Sequence, residues 1–249
     1  NIPISHVESG LRSNDWRMPE EHNRITIDHL SEFLFAPTKN TKFNLISEKV
    51  HGQIFVTGNT VIDAINIYSK ISKKKSKLLI PSTEFILSTL HRAENVDDRK
   101  TLSRILKGLI NSNEKIIFPI HPRTKKRLHE FGFFNKLDQN QNIQMIDSVG
   151  YFEMLELMKN CSFIVTDSGG IQEEATSPII RKKVLVVRKT TDRPESVENQ
   201  LAEIVGLKEK NITNSIIKTM KNPKLHSKKT PFGKGDASEK ILNILKKSF

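Results

Sequence analysis

Five short apolar runs, "EFILSTL" (84–90), "KIIFPI" (115–120), "NIQMI" (142–146), "SFIVT" (162–166) and "KVLVV" (183–187), constrain this chain more than any other feature. Each has the length of a buried strand, and helical patterns separate them at Thr101 to Ile110, Pro122 to Phe131, Tyr151 to Lys159 and Ile171 to Ala175. Strands alternating with helices of this length build parallel βαβ units, so the fold class is α/β. An earlier set has the same rhythm: "IPISHV", a helix from Pro19 to Phe33, "LFAPT", a helix from Thr41 to Glu48, "QIFVTGN" and a helix from Thr60 to Ser72. The lysine-rich stretch from Lys73 to Lys77, followed by Pro81, breaks the pattern and marks a domain boundary. The expected organisation is therefore one domain over 1–72, a second over 73–232 and a closing helix over 233–249.

Composition excludes several classes. With 249 residues, 36% of them hydrophobic, the chain buries a substantial core. No apolar run approaches the roughly 18 residues of a membrane-spanning helix, and no signal peptide opens the sequence, so the expected location is cytoplasmic. The formal charge of +12 raises a nucleic-acid reading. The excess sits in "KISKKKSK", "RTKKR" and the tail around Lys224 to Lys234, with few aromatics to stack bases, so a solvated surface is favoured and neither nucleic acid nor membrane is expected as a partner. Cys161 stands alone in an apolar segment and reads as a buried thiol.

In open α/β sheets ligands bind beyond the carboxyl ends of the strands. Polar clusters stand there: His91, Arg92, Glu94 and Asn95; His121; Asp167, Ser168, Gly169 and Gly170; Arg188, Asp192, Arg193 and Glu195. In "TDSGGIQEEA" the two glycines permit close backbone approach just before a helix start, where unpaired N–H groups favour an anion such as phosphate. The alternative is a tight turn with no ligand. Glu174, one turn further on, suits ribose or sugar hydroxyls, and Arg193 suits a diphosphate.

The segments "HVESGLRS", "RMPEEHNR", "LFAPT", "VTGNTVIDA", "TLHRAENVDD", "HPRTKKRL", "TDSGGIQEEA" and "VLVVRKTTDRPES" occur in one order along the chain. Together they resemble the non-hydrolysing UDP-N-acetylglucosamine 2-epimerase family. The resemblance implies the glycosyltransferase-B-like fold, two Rossmann-like domains with the active site in the cleft between them. It also implies inversion at C2 by elimination and re-addition of UDP through a 2-acetamidoglucal, with no cofactor and no metal. By motif position Glu8, Glu20 and His91 are the implied catalytic residues, the carboxylates moving protons and His91 stabilising the leaving diphosphate. His121, Ser168, Gly169, Gly170, Glu174 and Arg193 are the implied UDP-sugar contacts. Arg92 and Glu94 are candidate contacts for a second UDP-sugar acting as effector, and a homodimer is the family's usual assembly.

Two features of the family, a "GTRPE"-like turn and a "GDT"-like segment, do not occur. The expectation is that the first domain is only partly present and that the chain alone is inactive or severely impaired. Ser9 stands where the family commonly has Ala, and Ile180 and Arg181 replace small residues before a strand. "PFGKGDAS" resembles the family's turn before a last helix that packs back on the first domain. The motifs leave open a sister 2-epimerase acting on UDP-2,3-diacetamido-2,3-dideoxyglucuronate. A UDP-sugar glycosyltransferase of the same fold is a more distant alternative.

Overall fold

The computed structural model describes residues 2–16, 18–225 and 227–248, so Arg17 of the "RMPEE" motif lies outside the described residues. The chain forms two compact units, Asn1–Ile67 with Lys229–Phe249 and Tyr68–Lys228. Elements are labelled in chain order.

Residues of the first unit form a parallel sheet in the order β1 (Ser5–Val7), β2 (Phe33–Ala36), β3 (Gln53–Val56). The central strand is apolar at every position because both its faces are covered, as parallel sheets require. Leu34 and Ala36 pack with Leu45 of α2 (Lys39–Ser47) and with Val50 and Ile54, while Phe33 and Phe35 pack with Ile241, Ile244 and Leu245 of α12 (Ala237–Ser248). Those of these side chains that are fully buried, Phe33, Phe35, Leu34 and Leu45, contribute roughly 1.5–3 kcal/mol each. Thr38 starts α2 with a reciprocal cap, its hydroxyl accepting from the Thr41 N–H while its own N–H donates to Thr41 Oγ1.

The first helix, α1 (Pro19–Leu30), stops before the expected Phe33, because Ser31 is extended and Phe33 already pairs with Ser5 and Gln53. The third, α3 (Thr60–Lys75), runs beyond the expected Ser72 into the lysine run. Three cations in its last turn suit the negative end of a helix, so charge that reads as a linker extends the helix instead. Ser72 is buried and donates to Glu156 Oε1 at 2.5 Å, and Lys159 donates to the same oxygen at 2.7 Å. These bonds belong to the second unit, and the unit boundary accordingly falls at 67/68 rather than 72/73. The chain re-enters the first unit at Lys229, ahead of the expected 232/233.

Among its described residues the second unit holds a six-stranded parallel sheet. Its strands are β4 (Ile86–Thr89), β5 (Ile116–Ile120), β6 (Ile143–Asp147), β7 (Ile164–Thr166), β8 (Val184–Val186) and β9 (Ala202–Ile204). Their order is β6-β5-β4-β7-β8-β9, so the chain starts at the centre, builds outward, then crosses to the other side of β4. This is the Rossmann order, with its reversal between β4 and β7. The helices are α4 (Ala93–Val96), α5 (Arg99–Ile110), α6 (Pro122–Glu130), α7 (Phe134–Asp138), α8 (Tyr151–Asn160), α9 (Gly169–Glu174), α10 (Pro194–Glu198) and α11 (Glu209–Lys221). One continuous core joins Ile86, Phe118, Phe163, Val165 and Leu185 of the sheet to Leu102, Ile105 and Leu109 of α5 and Ile212 and Ile216 of α11. Cys161 is buried, and burial pushes its thiol up to about 12, which leaves it unreactive. No helix among the described residues is long and apolar enough to cross a membrane.

Candidate functional site

In the first unit, Glu8 follows β1 directly and takes φ 71°, a left-handed conformation rare for a side chain of this size. Its N–H and that of Ser9 both donate to the Phe35 carbonyl, at 3.1 and 3.2 Å, which holds the turn against the end of β2. Asn59, itself buried, donates from Nδ2 to Glu8 Oε1 at 3.2 Å, and the Asn59 N–H donates to Phe232 O at 2.8 Å. Two residues on, Gly10 has φ 78°, and an added Cβ would collide with the Thr41 carbonyl oxygen.

Asp28, fully buried on α1, organises the rest of this segment. It accepts from His6 Nδ1 at 2.7 Å, from the Gly10 N–H at 3.1 Å and from Arg12 at 2.7 Å. Arg12 also forks onto Glu48 with bonds of 2.7 and 2.5 Å. The two acidic residues after Pro19 are separated in role: Glu21 is buried and accepts from Ser13 N, Ser13 Oγ and Asn14 N, whereas Glu20 is exposed on the first turn of α1.

In the second unit, β4 and β7 pair in register Thr89↔Thr166, and the two threonine hydroxyls meet at 2.7 Å. The loops after both strands therefore emerge side by side at the point where strand order reverses. His91 and Asp167 face one another there, with Nδ1 of the imidazole 3.5 Å from Oδ1. The rings of His91 and His121 lie 5.6 Å apart, and His121 caps α6 by accepting from the Arg123 N–H at 3.2 Å. Burial lowers the pKa of His91, against the pull of Asp167 and with Arg92 and His121 reinforcing the shift, so the imidazole is neutral at pH 7. Burial pushes the Asp167 carboxyl up, opposed by His91 and by the N–H groups of Arg92 and Asn95.

Ser168 caps α9, its hydroxyl accepting from the Ile171 N–H at 3.4 Å. Gly169 is buried under Asp192, while Gly170 is exposed, an added Cβ there meeting only Ser168 Oγ at 3.9 Å. Glu174 is half-buried, and burial pushes its carboxyl up to about 7. Tyr151, in electrostatic reach of Glu174, is pushed up to about 12, burial being the main cause.

A second charge cluster surrounds Asp192. Its carboxylate accepts from Arg188 at 2.9 Å and lies 3.3 Å from Arg193 and 3.7 Å from Arg92. Burial alone would raise its pKa; the charges of Arg193, Arg188 and Arg92 overcome that and hold it below the usual carboxylate value. Arg193 is buried and also pairs with buried Glu173, and Glu94 lies 3.9 Å from Arg188 at an exposed position. Of the residues singled out from the sequence, His91, Arg92, Glu94, His121, Ser168, Gly169, Gly170, Glu174 and Arg193 belong to the second unit, and Glu8 and Glu20 to the first. Asp167 and Asp192, which the sequence offers among its polar strand ends, are buried carboxylates holding His91 and the arginine cluster, whereas Asp28, which sequence reading does not single out, holds His6, Gly10 and Arg12.

Strand order defines a Rossmann-type α/β unit in which polar strand ends gather at the switch between β4 and β7. A family model described as UDP-N-acetylglucosamine 2-epimerase matches residues 1–246. The chain belongs to this family. A UDP-N-acetylglucosamine 2-epimerase of Methanococcus maripaludis is 42% identical over 98% of this chain and 69% of its own length, and one of Escherichia coli is 34% identical over the same shares. The crystal structure of the Methanocaldococcus jannaschii UDP-GlcNAc 2-epimerase in complex with UDP-GlcNAc and UDP superposes with a TM-score of 0.88 at 43% identity, covering 99% of this chain and 69% of that one. The Neisseria meningitidis enzyme bound to UDP-GlcNAc gives a TM-score of 0.84 at 33% identity, covering 99% and 70%.

Proposed function

We propose that this chain is an isomerase that interconverts UDP-N-acetylglucosamine and UDP-N-acetylmannosamine. The observation that carries the reading is the convergence of His91, Asp167 and the Ser168–Gly170 turn at the β4/β7 switch of a chain belonging to the 2-epimerase family. The C2–H bond of the sugar is not acidic enough for direct inversion. In the proposed course a base removes the C2 proton as the C1–O bond breaks, UDP departs, and UDP then adds back while the proton returns to the opposite face. Proton transfer is assigned to Glu8 and Glu20, and stabilisation of the departing diphosphate to His91. Ser168, Gly169, Gly170, Glu174, Arg193 and His121 are assigned to holding the nucleotide.

Glu8 supports its assignment by its place directly after β1, where its N–H donates to the Phe35 carbonyl and its carboxylate accepts from buried Asn59. A second UDP-sugar at Arg92 and Glu94, a homodimeric assembly and a cytoplasmic location are finer parts of the same proposal. The test is proton NMR of UDP-N-acetylglucosamine in deuterated water, incubated with the protein supplied with the family's "GTRPE"-like turn and "GDT"-like segment, since the chain without them is expected to be inactive or severely impaired. Appearance of UDP-N-acetylmannosamine carrying deuterium at C2 is the expected result. Binding of UDP without any exchange at C2 would remove the epimerase reading and leave a nucleotide-sugar-binding protein.

A further inference from the structure

The loop after β4 is held by a carboxylate from the loop after β7, and the bonds are unevenly shared between its oxygens. Asp167 Oδ2 accepts from the His91 N–H at 3.2 Å, the Arg92 N–H at 3.0 Å and Asn95 Nδ2 at 3.1 Å. Oδ1 accepts from the His91 N–H alone, at 3.1 Å, and its remaining lone pair is turned to the imidazole, 3.5 Å from Nδ1. Asn95 spends its other proton on the Val187 carbonyl at 2.9 Å, which ties the same loop to the end of β8. Asp167 has no exposed surface, so no water competes for these positions.

We propose that Asp167 is the positioning residue for His91: it fixes the backbone of the turn and holds the imidazole with Nδ1–H toward its carboxylate, leaving Nε2 for the diphosphate. The proposal rests on the epimerase reading for the identity of the diphosphate, but not for the state of the ring. The groups facing His91 are Asp167 from the end of β7, His121 from the start of α6, and Arg92 and Glu94 from its own turn. Of these, Asp167 alone is a fully buried acceptor within reach of Nδ1. A neutral imidazole carries one proton, and a carboxylate beside one nitrogen selects the tautomer with that nitrogen protonated. When an anionic diphosphate approaches, Nε2 takes a proton from solvent and becomes a donor, and Asp167 balances the positive charge that results.

The ring state is read by long-range nitrogen–proton NMR of the histidine-labelled chain, with the His91 signals assigned by their loss in His91→Gln. The expected result is the Nδ1–H tautomer in the wild-type chain and its replacement by a mixture or by Nε2–H in Asp167→Asn. Nε2–H in the wild-type chain, or a tautomer unchanged in Asp167→Asn, overturns the proposal. If Asp167→Asn does not fold, the wild-type tautomer decides alone. In turnover, Asp167→Asn is expected to lose roughly 10- to 100-fold in kcat, with KM little changed and the His91 limb of the pH profile displaced. A wild-type chain that shows Nδ1–H but does not bind UDP refutes the proposed function and leaves the positioning role standing.

Discussion

Gly169 and Asp192 pack closely: a Cβ on the glycine would lie 3.0 Å from Asp192 Oδ1 and 3.2 Å from Oδ2, so the carboxylate would have to give way by a few tenths of an ångström. The neighbouring Gly170 has no such constraint, its nearest heavy atom being Ser168 Oγ at 3.9 Å. The two glycines of one turn therefore differ in packing, Gly169 being closely covered and Gly170 not. Gly169→Ala is expected to cost about 1–3 kcal/mol of stability by displacing Asp192. Gly170→Ala is expected to leave the melting temperature unchanged or slightly higher while weakening UDP at least tenfold, measured by calorimetric titration. Unaltered UDP affinity in Gly170→Ala would identify the pair as a turn with no ligand role.

Asp192 is the buried counter-charge for Arg92, Arg188 and Arg193. Removing it in Asp192→Ala leaves three guanidinium groups facing one another, and a loss of about 3–5 kcal/mol is expected from urea unfolding. Because the arginines hold its pKa below the unfolded value of 3.8, its contribution is complete above that value and is lost as pH falls through the lower folded one. The acid limb of the stability curve should therefore flatten in Asp192→Ala.

Glu174 predicts the opposite slope. Its carboxyl is raised from 4.5 to about 7, so the folded chain binds this proton more tightly than the unfolded one. Stability is highest while the group is protonated in both states, and it declines as pH rises from 4.5 to about 7. Glu174→Gln should remove that decline and stabilise the protein at pH 8 by on the order of 2 kcal/mol, after allowance for the side chain's partial exposure. The check is denaturant unfolding of both chains at pH 5 and pH 8; a difference independent of pH would show that Glu174 is not the titrating group.

Glu8, the proposed proton-transfer residue, carries its carboxylate on a backbone at φ 71°. Glu8→Gly should relieve about 1 kcal/mol of strain and abolish C2 exchange. Glu8→Gln should abolish exchange without the gain in stability, and UDP binding should persist in both. Retention of deuterium incorporation in Glu8→Gln would remove Glu8 from proton transfer.

Much of the architecture is legible in the chain itself, because parallel strands buried on both faces are uninterrupted apolar runs, as "FLFA" and "IIFPI" show. Less visible are β9, three residues long with a glutamate at its centre, and α11, whose Ile212, Ile216 and Met220 recur at four-residue steps beyond the last conspicuous run. The polar residues at the strand ends can be found from sequence, but their partners cannot. Asp167 meets His91 only because β7 crosses back beside β4, a relationship between strands separated by two others along the chain. Neither can the adjacent Glu20 and Glu21 be told apart by charge. The loop carrying Ser13 and Asn14 decides that Glu21 is the buried one.

The return of the last helix to the first unit has a consequence for synthesis. Phe33 and Phe35 leave the ribosome roughly 200 residues ahead of Ile241, which covers them. At about 5–20 residues per second that interval is roughly 10–40 s, during which the complete sequence of the second unit emerges. Throughout that interval the nascent first unit carries an uncovered aromatic face, the kind of surface that chaperones bind. A stop codon shortly before Ala237 would make the exposure permanent.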